Sequence, residues 1–368
     1  MRRNRFVVTL ISIILGLIFG AIILLVGGFN PIEAYKVMLI GIFGNPKYIS
    51  WTIIRSTPII LTGISVAFAF QTGLFNIGAE GQFIVGTIFA AMAGYFFKLP
   101  PVLHALVAMA IGALVAGVWG GIVGVLKAKF GVNEVISSIM LNWIALYLNN
   151  YFLTFPSFRR PNAESSFKIL ETAHINILGK WKVSEVGKAF LANNKFLKDL
   201  LNPPVNYGII VAILVAIWVW HILRDRTLGY QLRAVGYNRD AAEYGGINIK
   251  KNIILSLAIA GAISGLAGAT QVLGVEYQVG VLSSSQGYGF DGIAVSLIAA
   301  NNPLAAIPAG LLFGALKYGG GKLNSLIKAP SEVIDITIGI IVFFVAIPKL
   351  IDMITSVFKG RKRGEKVE

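Results

Sequence analysis

The stretch FVVTLISIILGLIFGAIILLVG, residues 6–27, contains no charged residue and is long enough to cross a lipid bilayer as a helix. It follows the basic segment MRRNR, and a basic start before an apolar run is also typical of secretory signals. This run is too long for the apolar part of a signal peptide, however, and no clear small-residue cleavage site follows it. We therefore interpret residues 6–27 as a retained first transmembrane span.

The apolar character of this stretch extends over the whole chain. Mean hydropathy is +0.74, and only 13% of the residues are charged, whereas soluble domains carry about 25%. The net charge of +15 does not indicate nucleic-acid binding, because the basic residues lie mostly between apolar runs. The chain has no cysteine, which excludes disulfides and thiolate metal ligands. The sequence predicts an all-α integral membrane protein.

Hydropathy predicts about ten transmembrane helices, some of them discontinuous. They lie near residues 6–27, 52–70, 80–98, 102–126, 135–155, 206–224, 252–274, 289–301, 303–318 and 331–352. Basic residues concentrate in one set of connections, and the positive-inside rule places these connections and both termini in the cytoplasm. A single polytopic domain is predicted over residues 1–355, with an extracytoplasmic loop at 156–205 and a cytoplasmic loop at 225–251, and a basic cytoplasmic tail follows at 356–368.

Two predicted spans carry small residues at helical spacing. They contain GVWGGIVG at 117–124 and AGAISGLAG at 260–268. Small residues at this spacing let helix backbones approach closely within a membrane. The pattern predicts a compact helix bundle and does not by itself indicate a function.

The connection 156–205 is predicted to lie outside the cell. It is polar, and it includes EVGKAFLANNKFLKDLL at 185–201, which places Val186, Phe190, Leu197 and Leu201 on one helical face. We expect one amphipathic helix here, which either lies at the membrane surface or docks an external partner.

The connection 225–251 is predicted to be cytoplasmic and contains a short helix in NRDAAEYGG. Asn238 is a suitable N-cap, Asp240 favours the first turn, and Gly245 and Gly246 end the helix. A helix this short is marginal by itself in water. The residues alone leave open whether it docks on another protein or is an ordinary surface helix.

The stretch GLFNIGAEGQF, residues 73–83, places polar residues between two apolar stretches, about 57–70 and 83–97. Each stretch is shorter than the roughly 20 residues of a full span. We therefore expect residues 73–83 to enter the bilayer and to interrupt a helix. GYGFDGIAV at 287–295 has a similar pattern, and paired broken segments in two halves of a chain indicate a transport site.

Five polar residues are predicted to approach the central pathway and to offer hydrogen bonds to a polar, uncharged solute: Asn76, Glu80, Gln82, Asn142 and Asp291. The alternative is that Glu80 and Asp291 hold helix ends together and that Asn142 bonds across helices. Trp143 and Tyr147 follow Asn142 at helical spacing and could stack on a nucleobase, whereas Tyr151 is a better interfacial anchor.

The residues exclude a catalytic centre and a metal site in this chain. GGGKLNS at 319–325 lacks the first glycine and the final Ser or Thr of a phosphate-binding loop. The three histidines, His104, His174 and His221, are scattered without ligand spacing. Few ionisable residues lie within the predicted spans, which disfavours an ion-coupled transporter.

Four segments resemble the membrane permease subunits of bacterial ABC importers, in the branch of simple-sugar, branched-chain amino acid and nucleoside permeases. They are TPIILTGISVAFAFQTGLFNIGAEGQF (57–83), GVNEVISSIMLNWIA (131–145), LRAVGYNRDAAEYGGI (232–247) and GYGFDGIAVSLIAANNP (287–303). The resemblance covers essentially the whole chain and is strongest to the nucleoside-type permeases. The cytoplasmic loop departs from the wider importer pattern, because Asp240 replaces a glutamate and a later proline is missing.

The resemblance implies that the cytoplasmic loop is the coupling helix held by an ATP-binding subunit. The residues that it assigns to coupling are Arg233, Asn238, Asp240, Ala241, Ala242 and Gly246. It further implies a second permease subunit, two ATP-binding subunits that hold ATP and Mg²⁺, and an extracytoplasmic solute-binding lipoprotein. The chain itself would hold no cofactor and no nucleic acid, and it would lie in the lipid of the bacterial cytoplasmic membrane. Nucleosides are the first expected substrate, ribose-type sugars the second, and an ion-coupled transporter is the third alternative.

Overall fold

The computed structural model describes residues 3–346, with side chains from residue 11 onward. The predicted basic tail 356–368 and the end of the predicted span 331–352 lie outside the described residues. Within the described part the chain is all-helical. Its only extended pairings there are isolated bridges, such as Asn176 with Asn206, and no β-strand forms.

Sixteen α-helices are numbered here in chain order. They are α1 (Arg3–Val26), α2 (Pro31–Phe43), α3 (Pro46–Phe70), α4 (Ala79–Phe96), α5 (Leu103–Phe130), α6 (Glu134–Phe152), α7 (Gly179–Val183), α8 (Glu185–Ala192), α9 (Lys195–Leu201), α10 (Gly208–Asp225), α11 (Thr227–Tyr237), α12 (Arg239–Tyr244), α13 (Ile249–Gln271), α14 (Tyr288–Ile298), α15 (Ala306–Ile327) and α16 (Ser331–Ala346). A π-helical turn, Val272–Glu276, continues α13, and a 3₁₀ turn covers Glu171–Ala173.

Each predicted span coincides with a helix over its described residues. By length and composition, four of the described helices can cross a membrane, namely α3, α5, α10 and α13 with its π turn. The count rises to five if α1 and α2, which meet at a bend of 115°, form one broken span. The protein is therefore a helical protein with several membrane-spanning helices.

Helix α2 was not predicted from the sequence. Asn30 caps it, since the Asn30 side chain accepts a hydrogen bond from the Ile32 backbone N–H at 3.0 Å, and Pro31 occupies its first position. Asn30 and Pro31 are the start signals that sequence rules name. Hydropathy did not reveal α2, because Glu33 and Lys36 interrupt a short apolar run.

The prediction that the stretch before residue 73 is too short to span was wrong. Helix α3 is 25 residues long and begins at Pro46, well before the apolar stretch 57–70. Pro58 lies inside α3, and serine and threonine residues of the same helix lower its hydropathy without interrupting it. Several of their hydroxyls donate to carbonyls one turn earlier, as Ser56 does to Thr52 at 2.7 Å, so the polar groups are satisfied within the helix.

The prediction of a single amphipathic helix over 185–201 was also wrong. The segment forms α8 and α9, which are separated by Asn193 and Asn194. Apolar side chains remain exposed on both pieces, with Val186 74% and Phe196 61% accessible. The break follows from the two asparagines, whose side chains compete with the helical backbone for hydrogen bonds.

The chain divides into two compact units. One unit comprises the residues up to Asn45 and from Ala315 onward. Within it α16 packs along α1, where the rings of Phe19 and Phe344 stack with centroids 4.8 Å apart. The Tyr35 hydroxyl of α2 donates to the Leu17 carbonyl at 2.6 Å, which holds α2 against α1 at the bend.

The other unit, Pro46–Gly314, contains the helices that position the candidate site. Its centre is formed by α3, α4, α5 and α13, and these helices touch through small residues. A Cβ atom on Gly86 of α4 would overlap the backbone of Gly265 on α13, and one on Gly120 of α5 would overlap Leu257. The close packing predicted from the two small-residue stretches is confirmed.

Candidate solute pathway

The break between α3 and α4 is a non-helical segment, residues 71–78. The chain leaves α3 through a turn at Gly73, whose φ of +68° is readily adopted only by glycine. This turn lies close to α11, because a Cβ atom on Gly236 would overlap the Gln71 carbonyl. The interruption predicted from GLFNIGAEGQF is therefore present, although the helix before it is long.

Helix α14 is the second interrupted element. Eleven residues give it a length of about 16 Å, roughly half the thickness of a bilayer core. It runs parallel to the second half of α3, since Thr62 donates to the Tyr288 carbonyl at 2.8 Å and Gln71 donates to the Asn301 carbonyl at 3.0 Å. The start of α14 is thus level with the middle of α3.

Glu80 joins the N-terminal ends of α4 and α14. Its side chain is fully buried, and its two carboxylate oxygens accept hydrogen bonds from the backbone N–H groups of Gly287 and Gly289 at 2.8 and 2.7 Å. The backbones touch here, because a Cβ atom on Gly289 would overlap the backbone of Glu80. A carboxylate at this point is favoured by both helix dipoles, whose positive ends meet.

Asn76 and Gln82 form a reciprocal amide pair across the start of α4. The Asn76 amide donates to the Gln82 side-chain oxygen at 2.9 Å, and the Gln82 amide donates to Asn76 at 3.0 Å. Asn76 also donates to the Ser65 hydroxyl of α3 at 3.2 Å. Both amides are buried, so the pair fixes the non-helical segment against α3 and α4.

Asn142 binds the same segment from α6. Its side-chain oxygen accepts a hydrogen bond from the Gly81 N–H at 2.8 Å, and its amide donates to the Ile77 carbonyl at 3.1 Å. A Cβ atom on Gly81 would lie only 2.7 Å from the Asn142 oxygen, so glycine is needed for this approach. Asn142 therefore satisfies two backbone groups that the helix break leaves without helical partners.

Asp291 lies in the first turn of α14 and is half-buried. Its negative charge acts on the nearby Glu80 carboxylate and on the neutral Tyr288 hydroxyl. The structure thus brings Asn76, Glu80, Gln82 and Asn142 together around the start of α4, with Asp291 on the adjoining helix. The aromatic residues that follow Asn142 lie on the exposed face of α6, where Trp143 and Tyr147 are 53% and 63% accessible.

Three polar residues near this junction were not singled out from the sequence: Gln271, Glu276 and Tyr288. The Gln271 amide donates to Glu276 at 2.9 Å and to the Tyr288 hydroxyl at 3.4 Å. Glu276 ends the π turn, and π turns often occur at functional sites. The sequence signal was a glutamate and a glutamine five residues apart at the end of a span, where the i+5 spacing suits a π turn rather than an α-helix.

The cytoplasmic loop has the predicted short helix. The Asn238 side chain accepts a hydrogen bond from the Ala241 N–H at 3.0 Å, which caps α12, and Gly246 leaves it at a φ of +78°. Ala242 is the one buried residue of α12, so its other residues lie on the surface of the protein. Asp240 is exposed, and the Tyr244 side chain is 98% accessible.

Arg233 lies on α11, where its guanidinium bonds the Gly229 carbonyl at 3.3 Å. Helix α11 packs on α10 through Gly229, since a Cβ atom there would overlap the backbone of Leu223. All six residues that the resemblance assigns to coupling thus lie on one exposed helical turn and the helix before it.

The segment between α6 and α10 is tied to the loop that follows α13. Asn176 and Tyr277 exchange hydrogen bonds at 2.7 and 3.0 Å, and the His174 ring stacks on Tyr277 with centroids 4.4 Å apart. Burial lowers the pKa of the His174 imidazole below its usual value, and nearby Glu171 opposes this shift only in part. His174 is therefore a neutral packing group.

Comparison with known proteins places this architecture among transport proteins. Residues 48–346 match the family described as branched-chain amino acid transport system / permease component. The chain is 40% identical over 364 residues to the guanosine ABC transporter permease protein NupP of Bacillus subtilis, covering 99% of both chains. It is 34% identical to the nucleoside ABC transporter permease protein NupB of Lactococcus lactis, covering 99% of this chain and 97% of NupB. It is 27% identical to the glucose ABC transporter permease protein TsgB13 of Haloferax volcanii, covering 96% and 88%.

Proposed function

The chain belongs to the family of branched-chain amino acid transport system permease components, and from this membership we propose that it is the permease subunit of an ATP-driven importer of nucleosides. The observation that carries the proposal is the 40% identity, over 99% of both chains, to a permease named for guanosine. A second relative of nearly equal coverage is named for nucleosides in general.

The proposed topology has ten transmembrane helices with both termini in the cytoplasm of a bacterial cell membrane. Helices at all ten predicted positions support it, as does the concentration of basic residues in the loops assigned to the cytoplasm. In this topology α14 enters from the outer side and covers only the inner half of the bilayer. Irregular backbone at that depth needs protein or water around it, and the loop 277–287 has protein partners, since the Val281 N–H donates to the Glu164 carbonyl at 2.9 Å.

The proposed partners are a second permease subunit, two ATP-binding subunits that hold ATP and Mg²⁺, and an external solute-binding lipoprotein. The exposure of α12 supports docking of the ATP-binding subunit, because Asp240 and Tyr244 have no packing role in this chain. ATP hydrolysis is assigned to those subunits. The external segment 156–205 is the surface offered to the lipoprotein.

In the proposed mechanism, α12 passes movement of the ATP-binding subunits to α13, which begins five residues after α12 ends. Helix α13 packs on α4 and α5 through glycine contacts and on α3 through serine hydrogen bonds, so it moves as a rigid element against them. The far end of α13 carries Gln271 and the π turn beside Tyr288. Movement of α13 therefore reaches the junction of α4 and α14, where the pathway opens to either side alternately.

The five predicted polar residues have two proposed roles, which are to hold the junction in shape and to contact the solute. They are Asn76, Glu80, Gln82, Asn142 and Asp291. Asn76, Glu80 and Gln82 are buried and hydrogen-bonded within the chain, so they hold the junction in shape. Asn142 also holds the junction, through its bonds to Gly81 and Ile77. We assign a direct contact with the solute to the half-buried Asp291 and to the part of Asn142 that remains accessible. The pathway need not bind solute tightly if the external lipoprotein selects it.

A sugar importer is the second candidate, favoured by the whole-length similarity to TsgB13, which is named for glucose. The test is uptake of radiolabelled adenosine and ribose by membrane vesicles that contain this protein, its partner subunits and its binding protein, with and without internal ATP. We expect ATP-dependent adenosine uptake that excess ribose does not inhibit. Ribose uptake would identify the sugar importer, and uptake driven by an ion gradient without ATP would overturn the proposal.

A further inference from the structure

A group of charged and polar side chains lies beside the Glu80 junction, on the side that the proposed topology places toward the outside. The group comprises Arg55 on α3, Glu276 at the end of the π turn, and Tyr288 at the start of α14. Gln271 connects the last two, because its amide donates to both side chains.

Packing of α3 against α13 places Arg55 near the π turn. Ser65 donates to the Ala260 carbonyl at 2.6 Å and accepts from Ser264 at 2.8 Å. Nearer the start of α3, Thr57 packs against Gly208. Thr270 of α13 packs against the same glycine. The two helices are therefore antiparallel, and Arg55 is level with the residues just after Thr270.

Tyr288 is the member of this group that is held in a fixed position against the junction. Its ring packs on Phe83 with centroids 4.9 Å apart, and its carbonyl accepts a hydrogen bond from Thr62. Its hydroxyl points to Gln271, on the same side as Glu276. The Tyr288 hydroxyl is thus a preorganised polar group beside the Glu276 carboxylate.

Arg55 and Glu276 interact electrostatically without forming an ion pair. The charge of Arg55 acts on both Glu276 and Tyr288. Among the described residues, however, no carboxylate lies within 4.0 Å of the Arg55 guanidinium. Arg55 is exposed and rests 5.8 Å from the centroid of the Trp51 ring. A donor-rich cation that is exposed and an acceptor-rich anion that is half-buried therefore lie at the same level of neighbouring helices.

We propose that Arg55, Glu276 and Tyr288 form a transient binding site for the base of 6-oxopurine nucleosides, such as guanosine and inosine, at the outer end of the pathway. The proposal rests on the proposed function as a nucleoside permease. A guanidinium donates to the O6 and N7 acceptors of guanine in the same way as arginine reads guanine in DNA. A carboxylate accepts from the N1–H donor next to O6, and in guanine from the 2-amino group as well.

The same site binds adenosine less well than guanosine, so it slows adenosine uptake without excluding it. Adenine carries an unprotonated N1 where guanine has N1–H, so a lone pair would face the Glu276 carboxylate. Its 6-amino group would direct donors toward the Arg55 guanidinium, which has no acceptor. Selectivity arises from these two repulsive contacts as much as from the favourable ones.

The test is the ratio of guanosine to adenosine uptake by the full transporter in proteoliposomes, measured at saturating solute-loaded binding protein. The binding protein is identical in all samples, so a change in the ratio arises in the permease. We expect Glu276→Gln and Arg55→Gln each to lower the ratio, by about tenfold for a loss of one charge-assisted contact. Arg55 is exposed, which makes Arg55→Gln a variant that should fold normally. Tyr288→Phe, which keeps the ring on Phe83, should lower the ratio less.

Glu33→Gln is the matched control, because Glu33 is an exposed carboxylate on α2 outside the proposed site, and its ratio should equal that of the wild type. An unchanged ratio in both Glu276→Gln and Arg55→Gln, with robust uptake, would overturn the binding site and leave the importer intact. Absence of ATP-dependent nucleoside uptake by the wild-type transporter would instead refute the proposed function on which the site rests.

Discussion

Replacement of Glu80 by glutamine tests whether one buried carboxylate holds α4 and α14 together. In the wild type both carboxylate oxygens accept backbone N–H groups, from Gly287 and Gly289, at 2.8 and 2.7 Å. In Glu80→Gln one oxygen becomes an amide NH₂ that faces an N–H donor and cannot accept from it. The remaining bond also loses the assistance of the negative charge.

The expected magnitude follows from these contacts. Hydrogen bonds to charged groups contribute about 1.5–3 kcal/mol each, so Glu80→Gln should lower the free energy of unfolding by about 2–4 kcal/mol. Unfolding entropy of about 2.1 cal/mol/K per residue amounts to about 0.8 kcal/mol/K for this chain. The apparent melting temperature should therefore fall by about 3–5 °C. Glu80→Ala leaves both N–H groups without partners and adds a cavity, so its decrease should be larger.

The assay is thermal unfolding of the purified permease in nanodiscs, followed by intrinsic fluorescence at one fixed heating rate. Glu164→Gln makes the same chemical change on an exposed side chain and should melt with the wild type. Uptake should fall in Glu80→Gln along with stability, since the two helix ends separate. A Glu80→Gln protein that melts at the wild-type temperature and transports at the wild-type rate would refute the anchoring role.

Three further predictions concern other parts of the chain. Gly86→Ala should reduce folded yield and melting temperature because its Cβ meets the backbone of α13, whereas Gly121→Ala, with its nearest neighbour at 3.7 Å, should behave as wild type in the same melts. Asp240→Lys and Tyr244→Ala should abolish or strongly reduce uptake while leaving membrane insertion and melting temperature unchanged, and normal uptake by both would contradict docking at α12. Because burial lowers the pKa of His174, protonation favours the unfolded chain, so the melting temperature should fall as the pH drops below about 6.5 and His174→Gln should reduce this dependence.

Sequence reasoning succeeded where a local signal decides the structure. The cap of α12 was predicted from Asn238 and Gly246, because an N-cap amide and a left-handed glycine act within one helical turn. Close packing at the small-residue stretches of α5 and α13 was predicted, although not that these two helices pack on each other, because small-residue spacing has the same meaning wherever it occurs in a membrane helix.

Sequence reasoning failed where residues far apart in the chain decide the structure. Glu80 was predicted to approach the solute or to hold helix ends, and nothing near it in sequence identifies Gly287 and Gly289 as its partners. The length of α3 was underestimated because hydropathy penalises its serine and threonine residues, although their hydroxyls are satisfied inside the helix. Glu276 was passed over because its importance depends on Arg55 and Tyr288, which lie on two other helices.

The bond between Glu80 and α14 also constrains the order in which the protein is made. Glu80 and Gly287 are separated by 207 positions, and ribosomes add about 5–20 residues per second. Roughly 10–40 s therefore pass between synthesis of the carboxylate and synthesis of the amide that satisfies it. During this interval the Glu80 carboxylate lacks the two backbone N–H donors from which it accepts in the folded protein. Helix α14 is too short to be inserted by its own hydropathy. Its hydrogen bonds to Glu80 therefore help to fix it in position after it has been synthesised.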